Sequence, residues 1–290
     1  MANLDKFYTK DEVAFKCVDF LKRYVDINDC ICLEPSAGGG AFLSYLPKYE
    51  AYDIAPEAEN IIKQDFLKFE PEYKNYITIG NPPFGSRSKM AIDFFNHAAK
   101  FSDIIAFIVP VSFMKWSVQK ELSQDFALID YFYLEPNSFM DRDKDFSVRC
   151  VFQIWSRKNF INKPNLRLTK TPPIKHEDFE IWQYNATAAA LNTVETDWEM
   201  ATYRQGYHDY NQFFTRESYE YIKRCMTGEE NGKKQQFFFI KPLSDEARQR
   251  ILSMDFNALA ERNTSTPGFG KGDFVGYYIE LKQAEKERGR

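Results

Sequence analysis

Apolar and polar positions follow two periods along the first part of the chain. Over residues 11–25, Val13, Ala14, Cys17, Val18, Leu21 and Val25 fall on one helical stripe, which predicts a helix beginning near Lys10. Thr9, with Glu12 three residues on, reads as a capping box at its start. Residues 29–34 form a short apolar run of buried-strand length, followed by Gly38, Gly39 and Gly40 and by a second expected helix over residues 41–46. The alternation continues with a strand ending at Tyr52 before Asp53, a strand over 76–79, a helix over 89–100 and a strand over 104–110. Residues 127–134 and 148–155 read as two further strands, separated only by turn residues at 135–145. Strands separated by helices predict a mostly parallel, doubly wound α/β sheet with helices on both faces. The last pair, joined without a helix, predicts an antiparallel hairpin at the sheet edge.

After Lys158 the texture changes. Residues 159–173 are polar and carry prolines, as a linker does, and the residues beyond them are aromatic and less periodic. A strand is expected at 235–240, a helix at 245–254, a glycine- and hydroxyl-rich loop at 263–272 and a frayed charged tail at 283–290. The expected organisation is therefore a first domain over residues 1–158 and a smaller α+β domain over 159–290.

Composition narrows the function classes. With 44% hydrophobic, 28% charged and 17% aromatic residues, the 290-residue chain is expected to be globular rather than disordered. Its longest apolar run, residues 104–114, is too short to cross a bilayer, and no basic-then-apolar leader pattern opens it, so an untargeted cytoplasmic or otherwise intracellular protein is expected, with no membrane partner. Five cysteines without a Cys-x-x-Cys pair and three dispersed histidines lead us to expect reduced thiols and no metal site. Residues 1–158 hold 19 basic and 23 acidic residues, and residues 159–290 hold 19 of each. Any nucleic-acid contact must come from a local patch rather than bulk charge.

Two constellations carry chemistry. Glu34-Pro35-Ser36-Ala37-Gly38-Gly39-Gly40 places an acid at a strand end and glycines where backbone must approach a ligand. This is not the Gly-x-Gly-x-x-Gly dinucleotide fingerprint, and the acid suits a cationic or amine-bearing ligand better than a pyrophosphate. Asp53, at the next strand end, is placed for both hydroxyls of a ribose. The second constellation is Asn81-Pro82-Pro83-Phe84, a stiff turn offering the Asn81 side chain and the Pro82 carbonyl as acceptors and the Phe84 ring as a flat apolar face. Such a turn suits a planar amine whose lone pair must be drawn out of conjugation.

These residues resemble the S-adenosylmethionine-dependent methyltransferases of the Rossmann-like class I, and among them the enzymes acting on the exocyclic nitrogen of adenine. The order Phe7-Tyr8-Thr9-Lys10, glycine loop, then Asn-Pro-Pro-Phe resembles the gamma arrangement of DNA adenine methyltransferases. The resemblance covers about residues 5–158. It implies S-adenosylmethionine as cofactor, with Tyr8 and Thr9 at its methionine end, residues 34–40 around its amino-acid moiety, Asp53 on the ribose, Ile54 against the adenine, and Asp65 and Phe66 beside the adenine's amino group. It implies that Asn81, Pro82 and Phe84 act on a flipped target adenine, with Phe139, or else Phe146, stacking on the base's other face. Residues 159–290 would then recognise the target, with Lys241, Lys271, Lys233 and Lys234 and the loop at 263–266 as candidate contacts. DNA is the favoured partner. RNA adenine, a protein glutamine amide and a non-catalytic nucleic-acid-binding module are the alternatives.

Overall fold

The computed structural model describes residues 7–71, 75–141, 144–186, 196–263 and 266–288, which form two compact units, Met1–Thr169 and Lys170–Arg290. In the first unit β1 (Tyr8–Thr9) leads into α1 (Asp11–Lys22), which buries Val13, Ala14, Cys17, Val18 and Leu21, five of the six stripe positions read from the sequence; the sixth, Val25, lies past the helix end. Burying such a stripe, at roughly 1.5–3 kcal/mol for each large side chain, holds a helix too short to be stable alone. The capping box does not form. Lys10 takes the N-cap position, no side chain caps the helix, and Thr9 is drawn into β1 with its hydroxyl toward Asn81.

The chain continues through β2 (Cys32–Glu34), β3 (Tyr49–Asp53), β4 (Ile62–Lys63), β5 (Tyr76–Gly80), α2 (Lys89–Ala98), β6 (Ser102–Pro110), α3 (Trp116–Gln119), β7 (Phe126–Tyr133), β8 (Phe139–Asp141), β9 (Lys144–Phe146) and β10 (Cys150–Arg157). The helix expected at 41–46 is a single 3-10 turn, Leu43–Tyr45, because Gly40 enters it at φ +86° and Pro47 forces Leu46 into extended backbone. Seven strands make one sheet in the order β4-β3-β2-β5-β6-β10-β7. The first five are parallel, and β10 runs antiparallel to both β6 and β7. This is an open Rossmann-like sheet with an antiparallel edge hairpin, the expected fold class. Along β6, Ile104, Ala106 and Ile108 enter one hydrophobic core with α1, while Ile105, Phe107 and Val109 enter the other with α2. Apolar layers on both faces explain its unbroken apolar sequence.

Two expectations need correcting here. Residues 135–145 are not simply a turn, since β8 and β9 form a hairpin that pairs with β1 in a separate sheet of order β1-β8-β9. Strands of two and three residues carry no readable period, and their partners lie at opposite ends of the unit. The first unit also runs past Lys158. Asn165 Oδ1 accepts from the Leu128 amide, and the buried Arg167 guanidinium donates to the carbonyls of Gln119, Leu122, Ser123 and Phe126. This part of the expected linker is thereby stitched onto β7 and the turn before it.

The second unit contains β11 (Phe179–Tyr184), β12 (Met200–Gln205), β13 (Phe214–Thr215), α4 (Tyr219–Thr227), β14 (Gln236–Pro242), α5 (Asp245–Leu252), α6 (Phe256–Ala260) and α7 (Lys271–Arg288). Its antiparallel sheet runs β11-β14-β12-β13 around an aromatic core that includes Trp198, Phe237, Phe238, Phe239, Phe256 and Phe274. The expected strand and helix are β14 and α5, the latter capped by Ser244 Oγ accepting from the Ala247 amide at 3.1 Å. The tail expected to fray is helical through Arg288, because Tyr278 Oη and Lys282 Nζ both donate to Asp178 and Arg250 pairs with Glu285. Of the loop expected at 263–272, residues 264 and 265 lie outside the described residues and Lys271 already opens α7. Among the described residues no helix is long and apolar enough to cross a membrane, and all five cysteines are free thiols.

Candidate active site

The sheet order reverses at β2, which lies between β3 and β5, so the carboxyl ends of these strands diverge and open a crevice. A cavity of about 530 Å³ occupies this position. It is lined by Tyr8, Thr9, Glu34, Pro35, Ser36, Ala37, Gly38, Asp53, Ile54, Asp65, Phe66, Asn81, Pro82 and Phe84, so residues nominated from distant parts of the sequence come together. Gly40 turns the same loop at φ +86°, and Gly38 at φ +54°, conformations that cost a residue with a Cβ about 1–2 kcal/mol.

Hydrogen bonds fix the loop. Asp53 accepts from the Gly38 amide through Oδ2 and from the Ala55 amide through Oδ1, both at 2.8 Å, tying the glycine turn to the end of β3. Each oxygen keeps a further lone pair. Ser36 Oγ donates to the Asn81 carbonyl at 3.1 Å and so links the turns after β2 and β5. Gly80 lies against Glu34, where an added Cβ would meet its Cγ at 3.3 Å. Tyr8 lies over Gly38, and its hydroxyl donates to Glu57.

Two atoms stand out electrostatically. Glu34 is 2% exposed, its Oε2 has no hydrogen-bond partner, and burial together with the Asp53 charge pushes its pKa up to about 8. Asn81 Oδ1 is likewise buried without a partner, while its Nδ2 donates to the Phe7 carbonyl at 3.3 Å and to Thr9 Oγ1 at 3.2 Å. The lining includes the acids Asp11, Glu34, Asp53 and Asp65 and no lysine, arginine or histidine among the described residues. A low-dielectric cleft lined by one sign of charge favours a ligand of the opposite sign.

Sequence reasoning missed Asp11, Phe7, Gln64, Leu67, Met90 and Phe94, which also face the cavity. Asp11 carried a signal, an acid in the first turn of the helix that follows Phe-Tyr-Thr, and Phe7 stood in that motif itself, whereas Gln64 showed only its place beside Asp65 and Leu67, Met90 and Phe94 only hydrophobicity. Asp65 also caps a 3-10 turn by accepting from the Leu67 amide at 3.1 Å, and Phe66 is both lining and core.

Four nominated contacts, Phe139, Phe146, Lys271 and Lys241, lie elsewhere. Phe139 is 0% exposed in the core, paired with Thr9 across β1 and β8, so its ring offers no face to a base in this structure. Phe146 is stacked on Phe7, with ring centroids 4.2 Å apart and 6° between the planes. Lys271 donates to the Ile181 carbonyl at 2.8 Å, and burial lowers its pKa; Lys241 is ion-paired with Asp197. Neither lysine presents an unengaged charge to a phosphate, whereas Lys233 and Lys234 are both exposed.

No family model and no curated protein matches the chain. Among solved structures it is similar to a modification subunit of a candidate type I restriction enzyme from Vibrio vulnificus, at 15% identity and a TM-score of 0.44, over 54% of this chain and 45% of that one. It is similar to a candidate RNA methyltransferase from Pyrococcus horikoshii, at 19% identity and 0.43, over 53% of this chain and 87% of that one. It is also similar to the type I restriction enzyme EcoKI M protein, at 14% identity and 0.42, over 100% of this chain and 75% of that one. The chain thus spans less than half of the Vibrio subunit's length, and its activity has to be read from the residues of its own cavity.

Proposed function

We propose that this chain is an S-adenosylmethionine-dependent methyltransferase acting on the exocyclic amino nitrogen of adenine in nucleic acid, DNA before RNA. The observation that carries the reading is Asn81 Oδ1, a buried acceptor without a partner in a cavity lined by acids and, among the described residues, free of basic side chains. A cofactor of net positive charge, with a sulfonium and an ammonium against one carboxylate, is matched by that lining. Residues 34–40 and Asp53 would hold its amino-acid and ribose parts, and Ile54, Asp65 and Phe66 its adenine. When bound, it supplies an electrophilic methyl group.

The remaining tasks fall to the chain. The adenine amine is a poor nucleophile because its lone pair is delocalised into the ring. Accepting its N–H groups at Asn81 Oδ1 and the Pro82 carbonyl favours the pyramidal form, and Phe84 offers its face to the base. These acceptors are preorganised on a two-proline turn at the end of a buried strand and need no reorganisation as charge develops. The gamma-like order of the motifs makes DNA the first substrate to test. In this reading the second unit, residues 170–290, chooses the target, with Lys233 and Lys234 as candidate phosphate contacts.

The test is transfer of labelled methyl from S-adenosylmethionine to duplex DNA, single-stranded DNA and total RNA, with nucleoside identification. The expected product is N6-methyladenine in DNA. Asn81→Ala should lower turnover by two or more orders of magnitude, the scale for removing one preorganised polar group, with cofactor affinity nearly unchanged. Label confined to RNA would reassign the substrate, and label in a protein amide would reassign the reaction. Absence of transfer to any of these would overturn the reading.

A further inference from the structure

The two ends of an asparagine carboxamide are almost the same size, so shape alone does not decide which end faces a cavity. Hydrogen-bond partners decide it. In this chain Asn81 Nδ2 points to β1, where it donates to the Phe7 carbonyl and to Thr9 Oγ1, and Oδ1 is left buried and unpartnered. A flipped amide would set two oxygens against each other at Phe7, and Thr9 would have to turn its hydroxyl proton toward Asn81.

β1 is itself held firmly. Its residues Tyr8 and Thr9 pair with Met140 and Phe139, the Lys10 amide donates to the Ser138 carbonyl, Lys10 Nζ pairs with Asp145 at 2.7 Å, and Phe7 is stacked on Phe146. The segment expected to supply a base-stacking ring, Phe139 or else Phe146, instead forms the hairpin that braces the strand touching Asn81.

We propose that β1 orients the Asn81 carboxamide, with the Thr9 hydroxyl as its positioning side chain, so that the acceptor oxygen and not the amide nitrogen meets the substrate. This rests on the proposed adenine chemistry for its consequence, and on the hydrogen bonds alone for its geometry. It assigns Thr9 to the substrate half of the cavity rather than to the methionine end of the cofactor.

The experiment compares Thr9→Val, which keeps the shape but removes the acceptor, with Thr9→Ser, which restores it, and takes Asn81→Ala as reference. In the apo protein, hydrogen exchange of the Asn81 side-chain amide should speed up at least tenfold in Thr9→Val, with the backbone amides of β5 unchanged and Thr9→Ser near wild type. In turnover, Thr9→Val should lower kcat about tenfold with the S-adenosylmethionine Kd within twofold of wild type, and Thr9→Ser should recover most of it. A weakened cofactor Kd with unchanged kcat would overturn the proposal by giving Thr9 to the cofactor. Unchanged exchange at Asn81 would also overturn it, as would loss of activity in Thr9→Ser equal to that in Thr9→Val. If Asn81→Ala transfers methyl normally, the adenine reading fails, while the exchange data still decide whether Thr9 holds the amide.

Discussion

Glu34 is the residue whose environment departs furthest from its sequence context. The motif places an acid at the end of β2, but only the fold shows that the carboxyl is sealed beneath Gly80 with one oxygen unpartnered. A buried carboxyl whose pKa rises from 4.5 to about 8 is held protonated in the native chain at pH values where the unfolded chain has lost that proton. Between those values the native state binds more protons than the unfolded state, so stability falls as pH rises and levels off above about 8. The cost of Glu34 at neutral pH is on the order of a few kcal/mol, accumulating at about 1.4 kcal/mol per pH unit above the unfolded value. Glu34→Gln should remove this slope. Denaturant unfolding at pH 5, 6, 7 and 8 is expected to show wild type losing stability relative to the variant as pH rises. Parallel curves for the two proteins would mean that Glu34 is solvated. A bound cation would reverse the preference of Glu34 for its neutral form, which is what a site for a positively charged cofactor requires.

Among elements, the glycine turn after β2 separates conformational need from space. Gly40 has φ +86°, and an added Cβ would meet Leu43 Cδ1 at 3.1 Å. Gly39 has an ordinary φ and nothing within 4 Å of the same atom. Gly40→Ala should therefore cost about 1–2 kcal/mol of stability and weaken S-adenosylmethionine binding, while Gly39→Ala should cost a few tenths and keep the fold of the turn. Chemical denaturation with calorimetric cofactor titration checks both, and equal effects would show that the turn is not set by Gly40. This turn was legible because its chemistry is local, three glycines beside an acid at a strand end, and Asn81-Pro82-Pro83-Phe84 was legible for the same reason. The β1-β8-β9 sheet was not, because its pairing joins Thr9 to Phe139 across most of the unit with strands too short to show a period. The same blindness turned Thr9 into a helix cap, Phe139 into a stacking ring and Lys271 into a surface charge. Each of these readings needed to know what lay opposite the side chain.

At the scale of the molecule, the boundary between the two units makes a stability experiment possible that composition would have placed wrongly. The sequence changes texture at Lys158, yet the packed unit ends at Thr169, and the difference lies in Asn165 and Arg167. Arg167 is buried, donates to four carbonyls and lies over the Trp155 ring with its guanidinium carbon 5.5 Å from the centroid. A chain ending at residue 158 loses all of these bonds and leaves the four carbonyls without that donor. At roughly 1.5–3 kcal/mol for each hydrogen bond to a charged group, even partial rehydration of those carbonyls leaves a deficit large against the 5–15 kcal/mol that holds a domain together. Residues 1–169 should therefore fold cooperatively and bind S-adenosylmethionine with near full-length affinity, while residues 1–158 should unfold at clearly lower denaturant or aggregate. Arg167→Met in the full chain, which keeps the stem and removes the donors, should lower stability in the same direction. If residues 170–290 choose the target, the 1–169 fragment should also bind nucleic acid with a shallower salt dependence than the full chain and methylate without sequence preference. Equal stability of the two fragments would show that residues 159–169 are a linker after all, and selective methylation by residues 1–169 would move recognition into the first unit.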